Sequence, residues 1–260
     1  MDFILVFCYN KVGDNMKGKL IVIEGTDCSG KETQTNILMD RLKKEGYPVV
    51  KFSFPMYDTP TGKIVGGPYL GKEYICDGWF PETAPNVDPK VSSLYYAADR
   101  KYNMPMILEE LESGTNVILD RYVFSNMAHQ GGKIFDDKKR EDMYSWLDKL
   151  EFGLLELAKP DICLFLHMPY EAATILKSGR EEKADQHEAN PEHLIHAEKA
   201  YIEVARRYNF KTIECATKTS GVTKNDIKTP TDISEEVYNL IKGELTKTVM
   251  YEPIKEYKKQ

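Results

Sequence analysis

The tightest constraint on this chain is a single turn. Leu20-Ile21-Val22-Ile23 is an apolar, β-branched run that leads into Glu24-Gly25-Thr26-Asp27-Cys28-Ser29-Gly30-Lys31-Glu32-Thr33-Gln34. The run reads as a buried parallel strand, and Ile37, Leu38 and Leu42 mark one face of the helix that follows. Between them, the spacing Gly25-x-x-x-x-Gly30-Lys31 turns successive backbone N–H groups inward around an anion. It also adds the positive end of the helix and sets the Lys31 ammonium against outer phosphates. A glycine turn joining any strand to any helix would share the glycines, but not the lysine in this order. Gly25, Thr26, Asp27, Cys28, Ser29, Gly30, Lys31, Glu32 and Thr33 are therefore expected to cradle a triphosphate. Glu32 stands where a Ser or Thr hydroxyl usually meets Mg²⁺. A carboxylate aimed at phosphates would repel them, so Glu32 is expected to face solvent in the first helical turn, where it suits the dipole. The metal is then left to phosphates, water and another carboxylate.

With 260 residues, 42% of them hydrophobic, the chain can bury one substantial core. Residues 16–245 are expected to form a single domain with a small mobile insertion, followed by a charged tail over 246–260. Residues 1–15 read as an addition ahead of the first strand, with Met16 a candidate start. The run Phe3 to Tyr9 is short and has no basic segment before it, so it fits a signal peptide poorly. A net charge of −6 argues against a nucleic-acid partner. Five cysteines without a CxxC pair fit free thiols in a reducing compartment. No run is long enough to span a bilayer, and the cytoplasm is the expected location.

Further along, Tyr47 to Phe54 reads as a second strand, ended by Pro55-Met56-Tyr57-Asp58-Thr59-Pro60. Loops at the carboxyl ends of strands line the ligand crevice of doubly wound α/β folds, which makes Tyr57 a candidate site residue. Residues 66–90 read as a loop with short helical pieces. A helix is expected from Asp88 to Leu111, patterned by Val91, Leu94, Tyr95, Ala98, Tyr102, Leu108 and Leu111, and kinked or split at Pro105. Tyr96 and Arg100 lie four apart on one face of it.

A third strand, Thr115 to Asp120, ends in a carboxylate placed for Mg²⁺, with Arg121 next to it to clamp a phosphoryl group. The loop Val123 to Gly132 carries Ser125, Asn126, His129 and Gln130. A long helix with Met143, Trp146, Leu147, Leu150, Leu154 and Leu157 facing inward is expected up to Lys159. Ile162 to Leu166 reads as a fourth strand. Ser178 to Glu188 has almost no apolar content and reads as a lid bringing Arg180 and Lys183 over phosphates. His187, His193 and His196 match no zinc spacing and read as surface histidines. A fifth strand, Phe210 to Cys215, and a last helix capped by Thr231-Asp232 complete the chain. Strands alternating with helices imply an α/β fold with a mostly parallel sheet covered on both faces.

These residues together resemble the thymidylate kinase family. The likeness rests on Glu24-Gly25-x-Asp27-x-x-Gly30-Lys31-x-Thr33-Gln34, on Phe54-Pro55, on Asp120-Arg121-Tyr122-x-x-Ser125-Asn126-x-Ala128, on Leu150-Glu151 before Pro160-Asp161, and on Asp185-x-His187-Glu188. It runs from about Lys17 to about Lys242, and the Asp-Arg-Tyr segment is its most specific part.

The resemblance implies a P-loop kinase fold, a five-stranded parallel sheet with helices on both faces and a short lid over about 178–188. It also implies transfer of the γ-phosphoryl group of ATP to dTMP with Mg²⁺, by a homodimer. Lys31, Arg121, Arg180 and Asp120 would be catalytic, with Asp120 and Asp27 near the metal and Lys183 on the ATP side. Phe54, Tyr57, Tyr96, Arg100, Ser125, Asn126, His129 and Glu188 would join Asp27 and Arg121 around the acceptor. Tyr96 would stack on the base, Arg100 and Asn126 bond it, and His129 lie near the sugar. Many members carry an arginine after Phe-Pro that grips the acceptor phosphate. Here Tyr57 takes that place, leaving the phosphate to Arg121 and Lys31. Two other readings remain at this point: a kinase for a nucleoside or a different monophosphate, and a nucleotide-binding module without chemistry. A nucleoside acceptor needs a general base, often a carboxylate at the end of the second strand, where this chain has Phe54-Pro55.

Overall fold

The structure, a computed structural model, describes residues 17–177 and 190–245. The N-terminal addition, the expected lid with Arg180, Lys183, His187 and Glu188, and the tail from 246 onward lie outside the described residues. In chain order the elements are β1 (Leu20–Gly25), α1 (Lys31–Lys44), β2 (Val49–Ser53) and α2 (Pro60–Ile64), then α3 (Pro89–Glu112), β3 (Asn116–Asp120), α4 (Val123–Gly131) and α5 (Asp137–Asp148). They continue with β4 (Ile162–His167), α6 (Tyr170–Lys177), α7 (Pro191–Arg207), β5 (Lys211–Glu214) and α8 (Pro230–Ile241). π-helical turns cover Val65–Tyr69 and Lys149–Leu154.

The five strands form one parallel sheet in the order β2-β3-β1-β4-β5. Along β1 the side chains alternate between two cores. Leu20 and Val22 pack with Met104, Ile107, Phe124, Met127 and Val204 on one face, while Ile21 and Ile23 pack with Leu38, Leu42, Val237 and Ile241 on the other. A strand buried on both sides favours apolar residues on both faces, which is why Leu20 to Ile23 of β1 show no polar alternation. Register then places the chemistry. Ile23 lies opposite Asp120 and Asp120 opposite Ser53, so three strands end side by side and their loops open into one crevice.

Several local expectations are corrected. The expected loop from Val123 is the helix α4, because the buried Glu24 carboxylate takes the place of a local cap. It accepts the N–H groups of Tyr122 at 2.8 Å and Ser125 at 3.0 Å. The long helix after it is shorter than expected, being α5 followed by a π turn, and Leu154 ends 70% exposed. Pro105 does not split α3, since it sits on the exposed side while Met104 and Ile107 anchor the other face in the core. That helix is also turned about its axis relative to expectation: its buried face carries Asp99, Arg100 and Asn103. Val91, Leu94 and Tyr102 are 41%, 52% and 58% exposed. The final helix is capped two residues earlier than expected, by Thr229 in a reciprocal capping box with Asp232 and with Pro230 in its first turn. His193 is buried rather than superficial, because the first turn of α7 packs onto α4.

Candidate active site

The loop between β1 and α1 is built by backbone needs. A Cβ on Gly25 would lie 2.5 Å from Ser29 Oγ and 2.8 Å from the Leu166 carbonyl oxygen, and Gly30 takes φ +75° ahead of α1. Thr26 Oγ1 donates to the Met168 carbonyl at 2.7 Å and accepts its N–H at 2.8 Å, which locks the loop onto the end of β4. Lys31 Nζ reaches back to the carbonyls of Gly25 at 2.8 Å and Thr26 at 3.0 Å. Burial, with Arg121 nearby, lowers its pKa to about 8 against the pull of Asp120, Asp27 and Glu24. The Ser29 hydroxyl is buried against Gly25 with no partner among the described residues, a polar group that an incoming anion would satisfy. Glu32 is exposed, as expected, and stands at the rim of the neighbouring cavity; Thr33 is exposed too. Cys28 packs against the α1 and α8 side of the sheet.

A cavity of about 520 Å³ opens beside the loop. From the loop after β2 come Phe54 and Tyr57; from α3, Tyr96 and Arg100; from the end of β3, Asp120 and Arg121; from α4, Ser125, Asn126, His129 and Gln130. Asp27 also lines it and pairs with Lys177 at 3.2 Å. Burial works to raise the Asp27 pKa, but Lys31, Arg121 and Lys177 outweigh it and hold the carboxyl below its ordinary value. Arg121 takes φ +66° and donates to Tyr201 OH at 3.2 Å and Ser125 Oγ at 3.4 Å. A non-glycine residue in that region is strained, and here the guanidinium feels the charges of Asp27, Asp120 and Glu24.

The floor of the cavity is polar and buried. Arg100 is paired through Nε, at 2.7 Å, and Nη2 with Glu151, and Asn126 Nδ2 donates to the same carboxylate at 3.2 Å. Asn126 Oδ1 and both amide atoms of Gln130 have no partner among the described residues. His129 Nδ1 lies 3.2 Å from His193 Nε2. Tyr96 meets Tyr69 edge-on, with centroids 5.7 Å apart, which steadies its ring at the wall.

The structure thus gathers every described site residue named from the sequence around the loop and the cavity, except Thr33 on the exposed side of α1 and Cys28 on the core side. Sequence reasoning gave no role to Glu24, Glu151, Gln130, Lys72, Lys177 or Tyr201. Glu24, Glu151 and Gln130 stood inside or beside recognised segments. Lys72, Lys177 and Tyr201 carry no local signal and arrive by folding alone.

A phosphate-binding loop facing a cavity with cations and a polar, amide-bearing floor defines a P-loop nucleotide kinase. A sequence model of the thymidylate kinase family matches residues 23–227. A thymidylate kinase of Schizosaccharomyces pombe is 33% identical over 175 residues, 66% of this chain and 73% of that protein. A probable thymidylate kinase of Thermococcus onnurineus is 29% identical over 231 residues, 87% of this chain and 98% of that one. The solved structure of Candida albicans thymidylate kinase has the same fold, with a TM-score of 0.64 at 24% identity, covering 88% of this chain and 92% of that one. The chain belongs to the thymidylate kinase family.

Proposed function

We propose that this chain transfers the γ-phosphoryl group of ATP to dTMP, giving dTDP and ADP. The observation that carries the choice of acceptor is the set of unpaired buried amide atoms, Asn126 Oδ1 with Gln130 Nε2 and Oε1, in the wall of the cavity. Each unsatisfied group costs about 1–3 kcal/mol, so such a wall fits a ligand that completes it. The imide edge of thymine, an N–H flanked by two carbonyls, offers the matching donor and acceptors. Tyr96 would cover the ring, and Arg100, fixed by Glu151, keeps unused N–H donors for the base. His129, braced by His193, would stand at the sugar.

No general base is needed, because the acceptor oxygen of dTMP is already an anion. Catalysis is then alignment and charge neutralisation. The loop N–H groups, Ser29 and Lys31 would hold the triphosphate, and Arg121 would lie against the transferring group. Arg180 and Lys183 would reach the phosphates from the lid, and Glu188 the acceptor. Mg²⁺ fits the donor set: Asp120 and Asp27 offer hard oxygens. Among the described residues no cluster of three His, Cys, Asp or Glu side chains could cage an ion. That suits a cation which keeps water and substrate phosphates as most of its shell. When bound, it would neutralise the charge of the β- and γ-phosphates.

The exposed stripe Val91, Leu94, Tyr102 and Met106 on α3 supports a homodimer formed through that helix. Among the described residues no helix is long and apolar enough to cross a membrane. Cys76, Cys163 and Cys215 carry thiols outside any disulfide, which fits a reducing compartment such as the cytoplasm. The direct test is ADP release with ATP and Mg²⁺, comparing dTMP, dUMP, dGMP and thymidine, with Arg121→Ala as control. Turnover is expected to favour dTMP and to be lost in the control. Preference for another acceptor would overturn the assignment.

A further inference from the structure

Arg121 feels three carboxylates, yet its side chain is held by two hydroxyls. The charges of Asp27, Asp120 and Glu24 all reach the guanidinium, and Asp27 is shared with Lys31 and Lys177. Among the described residues the guanidinium makes no direct ion pair. Its hydrogen bonds run from Nη1, to Tyr201 OH at 3.2 Å and to Ser125 Oγ at 3.4 Å. Nε and Nη2 keep their N–H groups for an incoming anion, and that edge of the planar fork matches two phosphoryl oxygens.

The two hydroxyls form a one-way chain. Ser125 Oγ donates to Glu24 Oε2 at 2.5 Å, so its 2.8 Å bond with Tyr201 OH takes the proton of the tyrosine. Tyr201 OH therefore accepts from Arg121 and donates to Ser125, with Glu24 Oε2 a further acceptor at 3.4 Å. The chain ends on a fixed carboxylate, because Glu24 also accepts the N–H groups of Tyr122 and Ser125. The Tyr201 ring is held as firmly. It is 2% exposed, stacks on Phe165 with centroids 5.5 Å apart and meets His129 edge-on at 5.7 Å. On the other side of the bond, the strained backbone of Arg121 is tied by its N–H to the Ile23 carbonyl at 3.2 Å, which aims the side chain into the crevice. Without an acceptor at Nη1, a guanidinium on so long a stem would turn onto Asp27 or Asp120, and the donors that a phosphate needs would be occupied.

We propose that Tyr201 is a positioning residue for phosphoryl transfer: its hydroxyl holds Nη1 of Arg121, keeping the guanidinium off Asp27 and Asp120 and its other donors toward the phosphates. This rests on the kinase reading above. The test is Tyr201→Phe, which removes the hydroxyl and keeps the ring against Phe165 and His129. With dTMP, kcat is expected to fall about ten- to a hundredfold. KM for ATP and the affinity for thymidine, which lacks the phosphate, should stay within about twofold of wild type. Calorimetric titration of dTMP into wild type, Tyr201→Phe, Arg121→Ala and the double variant then asks whether the hydroxyl acts through the arginine. Tyr201→Phe alone should weaken dTMP about three- to tenfold and should weaken it no further once Arg121 is gone. A wild-type kcat in Tyr201→Phe would overturn the proposal with the kinase reading intact. So would equal losses for dTMP and thymidine, which would make Tyr201 a shaping residue only, or a loss that is undiminished in the Arg121→Ala background. A wild-type protein that neither binds nor phosphorylates dTMP would overturn both.

Discussion

Replacing Glu151 by glutamine tests the polar floor of the cavity most sharply. Glu151 is fully buried, Arg100 nearly so, and two guanidinium N–H groups and the Asn126 amide all converge on the one carboxylate. The variant keeps one acceptor oxygen but turns an amide N–H₂ toward an arginine donor, so a buried cation loses its counter-charge and one bond becomes a clash. Breaking a buried pair from one side costs about 3–5 kcal/mol, and for a domain of this size that lowers Tm on the order of 10 °C. Replacing both partners, as in Arg100→Met with Glu151→Leu, removes the stranded charge and should be less destabilising than the single change. Urea unfolding of wild type, Arg100→Met, Glu151→Leu and the double variant reads the cycle directly, with Glu151→Gln measured beside them. A Glu151→Gln variant within about 1 kcal/mol of wild type, or a double variant whose cost is the sum of the two singles, would refute the account of the floor as a charge-matched unit.

Three other expectations concern the site and its supports. Gln130→Leu should raise the stability of the free protein by about 1–3 kcal/mol, since it removes two unpaired buried amide atoms. The same change should lower kcat/KM for dTMP at least about tenfold; thermal melts and steady-state rates check the two halves. Lys31, with its pKa lowered to about 8, loses its proton in the free protein as pH rises past that value. ATP binding should then weaken above pH about 8 and take up a proton, seen as a dependence of the measured heat on buffer ionisation. At the far end of β4, His167 contacts Glu214 at 2.6 Å and Glu198 at 2.8 Å. Burial lowers its pKa, but the two carboxylates more than offset this and raise it above the ordinary 6.5. Its contribution to stability is therefore complete below pH 6.5 and lost as pH climbs through the raised value. His167→Gln should flatten that part of the stability profile measured by denaturant unfolding.

How far the sequence can be read depends on whether a signal is local. The loop from Gly25 to Lys31 was legible because its chemistry lies in adjacent peptide units, and the central strands β1, β3 and β4 because burial on both faces demands nearly unbroken apolar runs. The loop expected at the start of α4 was misread because a tertiary contact overrides local preference, and for the same reason α3 runs unbroken past Pro105. Packing by Met104 and Ile107 carries α3 through the proline, and Glu24, about a hundred residues away in sequence, caps α4. The orientation of α3 was misread for a related reason. An apolar stripe normally marks the buried side, but here the inner side is polar: Asp99 accepts the Met56 N–H and the Thr61 hydroxyl, Asn103 donates to Asp99, and Arg100 reaches the cavity.

By itself, then, the sequence determined the strand–loop–helix cradle, the alternation that makes a parallel sheet, and the Asp120-Arg121 strand end that belongs beside the cradle. The tertiary structure decided what the crevice contains. Register between β1, β3 and β2 brings three strand ends level. The folds of distant segments then add Glu151 beneath Arg100, Tyr201 against Arg121, Lys177 against Asp27 and Lys72 above Tyr57. The physical reason is one of range: backbone geometry and hydrophobic periodicity act over a few residues, whereas the pairing of buried charges is settled only when the core closes around them.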